Sequence, residues 1–141
     1  MCGTNMPQFS FLQEYMVGKI GCKIGTYHQT TDSMHAYLEN PQWQKLSREG
    51  LKFPDLYIKQ KLKTYPLFAG IERNPSCFDT DLFDFFKGKR ENFLSPFFED
   101  VVAPMWEVFE AHKQDKSGLT LVHKIRADDW RAVTTQWLSG K

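Results

Sequence analysis

The stretch from Ile24 to Leu38, IGTYHQTTDSMHAYL, constrains the fold more than any other part of the chain. It is rich in Thr and Tyr, which fit a pleated, half-buried surface, and it reads as a β-strand. On an extended backbone Tyr27, Gln29, Thr31, Ser33, His35 and Tyr37 would share one face. A lone strand cannot satisfy its own N–H and C=O groups, so something must pair with it. Little else in the chain offers itself. Tyr57 and Ile58 could form a short strand, but Pro54, Pro66 and Pro75 rule out a long one between Leu51 and Pro75.

The remaining segments carry helical spacing. Phe9, Leu12, Met16 and Ile20 fall on one face of a helix expected over residues 6–20. Pro7 sits where a first-turn proline is tolerated, Asn5 could cap, and Gly21 and Gly25 bracket the exit. A short helix is expected after Asn40-Pro41, with Trp43 and Leu46 as its apolar contacts. Asp79 or Thr80 can cap a helix carrying Leu82, Phe83 and Phe86. Ser95-Pro96 opens another, with Phe97, Val101, Met105, Val108, Phe109 and His112 at helical spacing, and Pro104 inside it predicts a kink. A last helix from about Ala127 to Leu138 carries Trp130, Val133 and Trp137. The expected class is therefore α/β (α+β): one or two strands of a larger sheet clad by helices, residues 1–141 forming a single partial domain.

Charge and composition exclude several functions. A net charge of +1 gives no electrostatic footing for nucleic acid or a membrane surface. No apolar run approaches the roughly 20 residues a membrane helix needs, and no signal peptide is visible, so the expected setting is cytoplasmic and soluble. Cys2, Cys22 and Cys77 are odd in number and lack metal-ligand spacing, so neither a disulfide framework nor a metal site is expected. The 12 Phe residues, in a chain that is 15% aromatic, suggest a core built from large rings.

The first quarter of the chain resembles thymidylate synthase and its phage relatives, the deoxypyrimidine nucleotide hydroxymethyltransferases. The residues that carry the resemblance are Gly3-Thr4-Asn5, FSFLQEYMVGKIG, Lys23-Ile24-Gly25 and Asp32-Ser33-Met34-His35-Ala36-Tyr37. None is specific alone; their joint order and spacing from Asn5 to Tyr37 are. Later segments fit the phage-type branch more loosely: SPFFEDVVAPMWEVFEAHK resembles its penultimate helix and ADDWRAVTTQWL its terminal one. The resemblance implies the C-terminal part of the thymidylate synthase fold.

It also implies roles for three residues. Asn5 would face the pyrimidine, because a carboxamide offers the donor and acceptor that match O4 and N3–H of uracil. Cytosine reverses that pattern, and family members acting on it tend to carry Asp there, so Asn5 favours dUMP. His35 and Tyr37, two residues apart on the strand, would both bond the sugar 3′-hydroxyl. Read without the family, Asn5 is a helix cap and His35 and Tyr37 a half-buried strand pair. His28, His112 and His123 match no family role.

The resemblance implies a reaction whose nucleophile this sequence lacks. In the family a cysteine thiolate in a Pro-Cys-His segment attacks C6 of the pyrimidine, making C5 nucleophilic toward 5,10-methylenetetrahydrofolate. An Arg-Ser-x-Asp segment holds the phosphate, with further arginines from the partner of a homodimer. Neither segment occurs here, and none of the three cysteines matches the nucleophile. No catalytic residue is therefore assigned. The expectation is the C-terminal portion of an enzyme that moves a one-carbon unit to C5 of dUMP for dTMP synthesis, inactive without its N-terminal half. The alternatives are a non-catalytic nucleotide-binding remnant and half of a dUMP or dCMP hydroxymethyltransferase. The methyl and hydroxymethyl products are not separable from these residues.

Overall fold

The computed structural model describes residues 5–30, 61–114 and 116–139, together with positions 39, 41, 44 and 48. Among the stretches described without interruption, the α-helices are α1 (Asn5–Ile20), α2 (Ser76–Phe86), α3 (Ala103–Lys113) and α4 (Asp128–Leu138). A π-helical turn, Phe98–Val102, leads directly into α3, and a 3₁₀ helix, Gly118–Lys124, links α3 to α4. Pro41, Gln44 and Arg48 are helical, in line with the short helix expected after Asn40.

The expectation of an α/β fold is overturned, because the described residues contain no strand. Residues 24–30 of the expected strand are irregular and mostly exposed; the rest of it, and Tyr57 and Ile58, lie outside the described residues. Thr and Tyr content records a propensity only. A strand exists when a ladder takes up its backbone groups, and no described segment supplies one here. The Gly25 carbonyl instead accepts from Gln13 Nε2 at 3.4 Å, which draws the chain back toward α1.

α1 ends where the glycine spacing places its exit. Gly21 takes φ +76° and its N–H bonds the Val17 carbonyl at 2.9 Å, a left-handed stop that suits glycine. The face α1 turns to the protein is not the one its apolar periodicity suggested. Glu14, Tyr15 and Lys19 turn inward, Tyr15 packing on Phe68 and Phe78, while Phe11, still exposed, lies 6.1 Å from the Phe97 ring. Glu14 accepts from the Leu67 N–H at 2.8 Å. Phe9, Leu12, Met16 and Ile20 remain 52%, 47%, 51% and 70% exposed.

α2 shows the same reversal. It starts at Ser76, immediately after Pro75, so Asp79 lies in its first turn and does not cap it. Phe78 and Asp81 are buried, whereas Phe83 and Phe86 face outward. The carboxylate of Asp81 accepts the N–H groups of Leu94 (3.0 Å) and Ser95 (2.6 Å), fixing the chain just before the next helix begins. Where a kink is expected at Pro104, the structure has a π-helical turn just before it. Proline has no N–H for the Asp100 carbonyl and its ring would crowd that oxygen, so the turn widens and Ala103 N–H bonds Phe98 O. The released Asp100 carbonyl accepts the backbone N–H of Arg126 at 3.0 Å.

The core is aromatic, as the phenylalanine content suggested. Leu67, Phe68, Ile71, Phe78, Phe93, Phe97, Phe98, Val101, Ala103 and Ala127 form the main cluster. Phe78 and Phe98 meet edge to face at 5.2 Å, and Phe68 stacks on Phe78 at the same separation. A second cluster of Val108, Val122 and Ile125 joins the first through Met105 and Trp130, which pack against both. Each fully buried Phe or Leu contributes about 1.5–3 kcal/mol relative to exposure.

Candidate functional site

Of the three residues to which the resemblance gives substrate roles, Asn5 is the first residue of α1. His35 and Tyr37 lie outside the described residues. The position of Asn5 is therefore set by how α1 is anchored, and that anchoring is specific. Tyr15 donates to Asp79 Oδ1 at 2.8 Å, and Lys19 forms an ion pair with the other carboxylate oxygen. Lys19 holds the Asp79 carboxyl below its usual range, an effect that burial opposes and Tyr15 reinforces. The same carboxylate raises both partners above their ordinary values.

Gly18 completes the seat. A Cβ at this position would sit 2.2 Å from Phe68 Cδ2, so only glycine lets α1 approach this closely. The sequence offers Asp79 or Thr80 as a cap and assigns no role to Tyr15 or Lys19. Their i, i+4 spacing, shared with Glu14 and Gly18 on one face, is the signal that could have found them.

A second polar group lies among the aromatic residues. Tyr65 donates to Asp100 Oδ2 at 2.6 Å, and Arg126 pairs with Asp100 Oδ1 at 3.1 Å. Burial, then the bond to Asp100, pushes the Tyr65 hydroxyl up to about 12, with Arg126 opposing. The Tyr65 N–H also bonds Asp129 at 2.9 Å, tying this residue to the start of α4. Both groups are complete in themselves: each carboxylate meets a phenol and a cation, an arrangement that fixes elements in place.

Cys22 is exposed just past α1, and Cys77 is half-buried in the first turn of α2 against the core; both are free thiols, while Cys2 lies outside the described residues. His112 meets the Trp137 ring edge-on at 4.8 Å, His123 Nδ1 lies 2.8 Å from the Thr120 carbonyl, and His28 is exposed. Among the described residues no cluster of His, Cys, Asp and Glu could hold a metal ion, and no helix is long and apolar enough to cross a membrane.

In class, the chain is similar to phage enzymes that modify deoxypyrimidine nucleotides. It is 27% identical, over an alignment of 156 residues, to a protein named deoxyuridylate hydroxymethyltransferase from Pseudomonas phage M6. That match takes in 96% of this chain and 42% of the phage protein, so the chain spans less than half of its relative's length. A protein of the same name from Bacillus phage SP01 is 45% identical over 38 residues, 27% of this chain and 10% of its own. No family model and no solved structure matches the chain. These likenesses support the resemblance to the thymidylate synthase and hydroxymethyltransferase group.

Proposed function

We propose that this chain is part of a deoxyuridylate hydroxymethyltransferase-like enzyme that attaches a one-carbon unit to C5 of dUMP. The observation that carries the reading is the similarity to the Pseudomonas phage M6 protein along nearly the whole of this chain. The names of both relatives favour a hydroxymethyl product over the methyl product placed first from the sequence.

In this reading the chain's share of the work is substrate recognition. Asn5, at the head of α1, presents its carboxamide to O4 and N3–H of uracil, and the seat formed by Gly18, Tyr15 and Lys19 holds that helix in place. His35 and Tyr37 bond the 3′-hydroxyl of the sugar. The nucleophilic cysteine and the phosphate-binding arginines come from polypeptide outside this sequence, and the enzyme works as a homodimer. Methylenetetrahydrofolate supplies the one-carbon unit as co-substrate; no described residue is assigned to it.

The test supplies this chain with the portion of the M6 protein outside the match and follows tritium release from 5-labelled dUMP. Release that requires both polypeptides and the folate, with a hydroxymethylated product by mass spectrometry, is the expected result. Asn5→Asp should then shift kcat/KM from dUMP toward dCMP by about 10²-fold or more, because a carboxylate cannot donate to O4 of uracil but accepts from N4–H of cytosine. An assembled pair that releases no tritium overturns the proposal. An Asn5→Asp variant with unchanged preference removes Asn5 from base recognition.

A further inference from the structure

The solvent side of α1 is built the wrong way round for a surface helix. Its only two charged residues, Glu14 and Lys19, both turn inward, to the Leu67 N–H and to Asp79. On the opposite side Phe9, Leu12, Met16 and Ile20 form an uncharged stripe along the helix, each about half exposed or more. The exposed Ile24 follows just past its C-terminal end. An exposed helix face ordinarily carries the charge and leaves the apolar residues inside. An apolar patch of this kind marks an interaction surface.

We infer that the Phe9–Leu12–Met16–Ile20 face of α1 is the seat of the polypeptide that corresponds to the rest of the M6 protein's length, whether joined to this chain or separate. The inference rests on the proposed function and gives it a location. More than half of that relative lies outside the match, so the polypeptide in question is larger than this chain and can cover the helix and its flanks together. A second copy of the chain fits less well. A 16-residue helix is about 24 Å long, and one such face buries a few hundred Å², well under the roughly 800 Å² per partner of a stable interface. The occupant's contact surface is accordingly apolar and uncharged, since a charge placed against this stripe would be buried without a partner.

The face is tested with Leu12→Glu and Met16→Glu combined in the full chain. Both sites are half exposed, so the double variant should keep its helical circular dichroism and thermal midpoint. The probe is the portion of the M6 protein outside the match, expressed as a separate polypeptide and titrated calorimetrically. Binding by the unaltered chain, weakened about a hundredfold or more in the variant, supports the inference. Equal binding by both, or no binding by either, overturns it. So does self-association of the unaltered chain in sedimentation that the variant abolishes, because the face would then belong to a second copy. A complex that forms, depends on this face and yet releases no tritium from dUMP leaves the interface standing and removes the proposed function.

Discussion

Gly18 shows how one missing side chain sets the position of an element. In the interior of an exposed helix, Gly→Ala is worth up to about 1 kcal/mol of added stability, since glycine is the poorer helix former. Here the new methyl would overlap the Phe68 ring, which is buried and held between Tyr15 and Phe78. The sign should reverse: Gly18→Ala is expected to lower stability by about 1–3 kcal/mol, the usual cost of overpacking, read as a lower urea midpoint at unchanged m-value. A gain in stability would mean that α1 does not rest on Phe68. Asp81 makes the related point for a charged group. Leu82 and Phe83 beside it suggest a helix whose acidic residues are solvated, yet it is the carboxylate that is buried and the Phe83 ring that is not. Periodicity counts hydrophobicity. It does not register that a carboxylate can accept two backbone N–H groups and so belong inside.

Helix α2 gives the sharpest contrast between neighbouring side chains. Phe85 meets the rings of Phe93, Phe98 and Trp106, and the guanidinium of Arg90 lies 4.4 Å from its centroid and 4.8 Å from that of Trp106. Phe86 is 79% exposed. Phe85→Ala should therefore cost about 2–4 kcal/mol and Phe86→Ala within about 0.5 kcal/mol, measured by denaturant unfolding of the two variants side by side. Comparable losses would show that both rings are covered. The extents of α1 and α4 were legible in the sequence, because glycine stops and apolar spacing are local signals. At Pro104 the sequence suggests a kink; the π turn answered by the Arg126 N–H was not legible. The inward faces of α1 and α2 were not legible, since the residues that choose them, Phe68 and Ser95, lie far along the chain. For Ile24–Thr30 the Thr and Tyr propensity spoke for a strand, whereas the described backbone there is irregular. Of the candidate site, Asn5 was legible as the head of a helix. What positions that helix, the Tyr15–Asp79–Lys19 group, joins segments about sixty residues apart and left only the one-face spacing as a trace.

Across the molecule, Tyr65 is where distant parts of the described structure meet. Its ring packs against Phe97 at 6.3 Å, its hydroxyl reaches Asp100 in the π turn, its N–H reaches Asp129 in α4, and Asp100 in turn holds Arg126. Linkage turns this junction into a measurable alkaline limit. The folded state keeps the phenol protonated up to about 12, against an ordinary value of 10.0, through burial first and the bond to Asp100 second. A raised value means that the neutral phenol is the form the fold favours. Its contribution is thus fully present below pH 10 and drains away as pH rises toward 12. Lysines titrate in the same range, so the quantity to follow is the stability difference between the unaltered chain and Tyr65→Phe. That difference should stay constant from pH 7 to about 9.5 and shrink steadily above 10, as the unfolded chain alone gains from ionising Tyr65. Tyr65→Phe should also lower stability at neutral pH by about 1–3 kcal/mol, because Asp100 loses a charge-assisted donor. Parallel stability curves up to pH 12 would mean that the hydroxyl is free in solution. The segment before α2 would then be tied to α4 by the Tyr65 N–H bond to Asp129 and to the π turn by ring packing, without the hydroxyl.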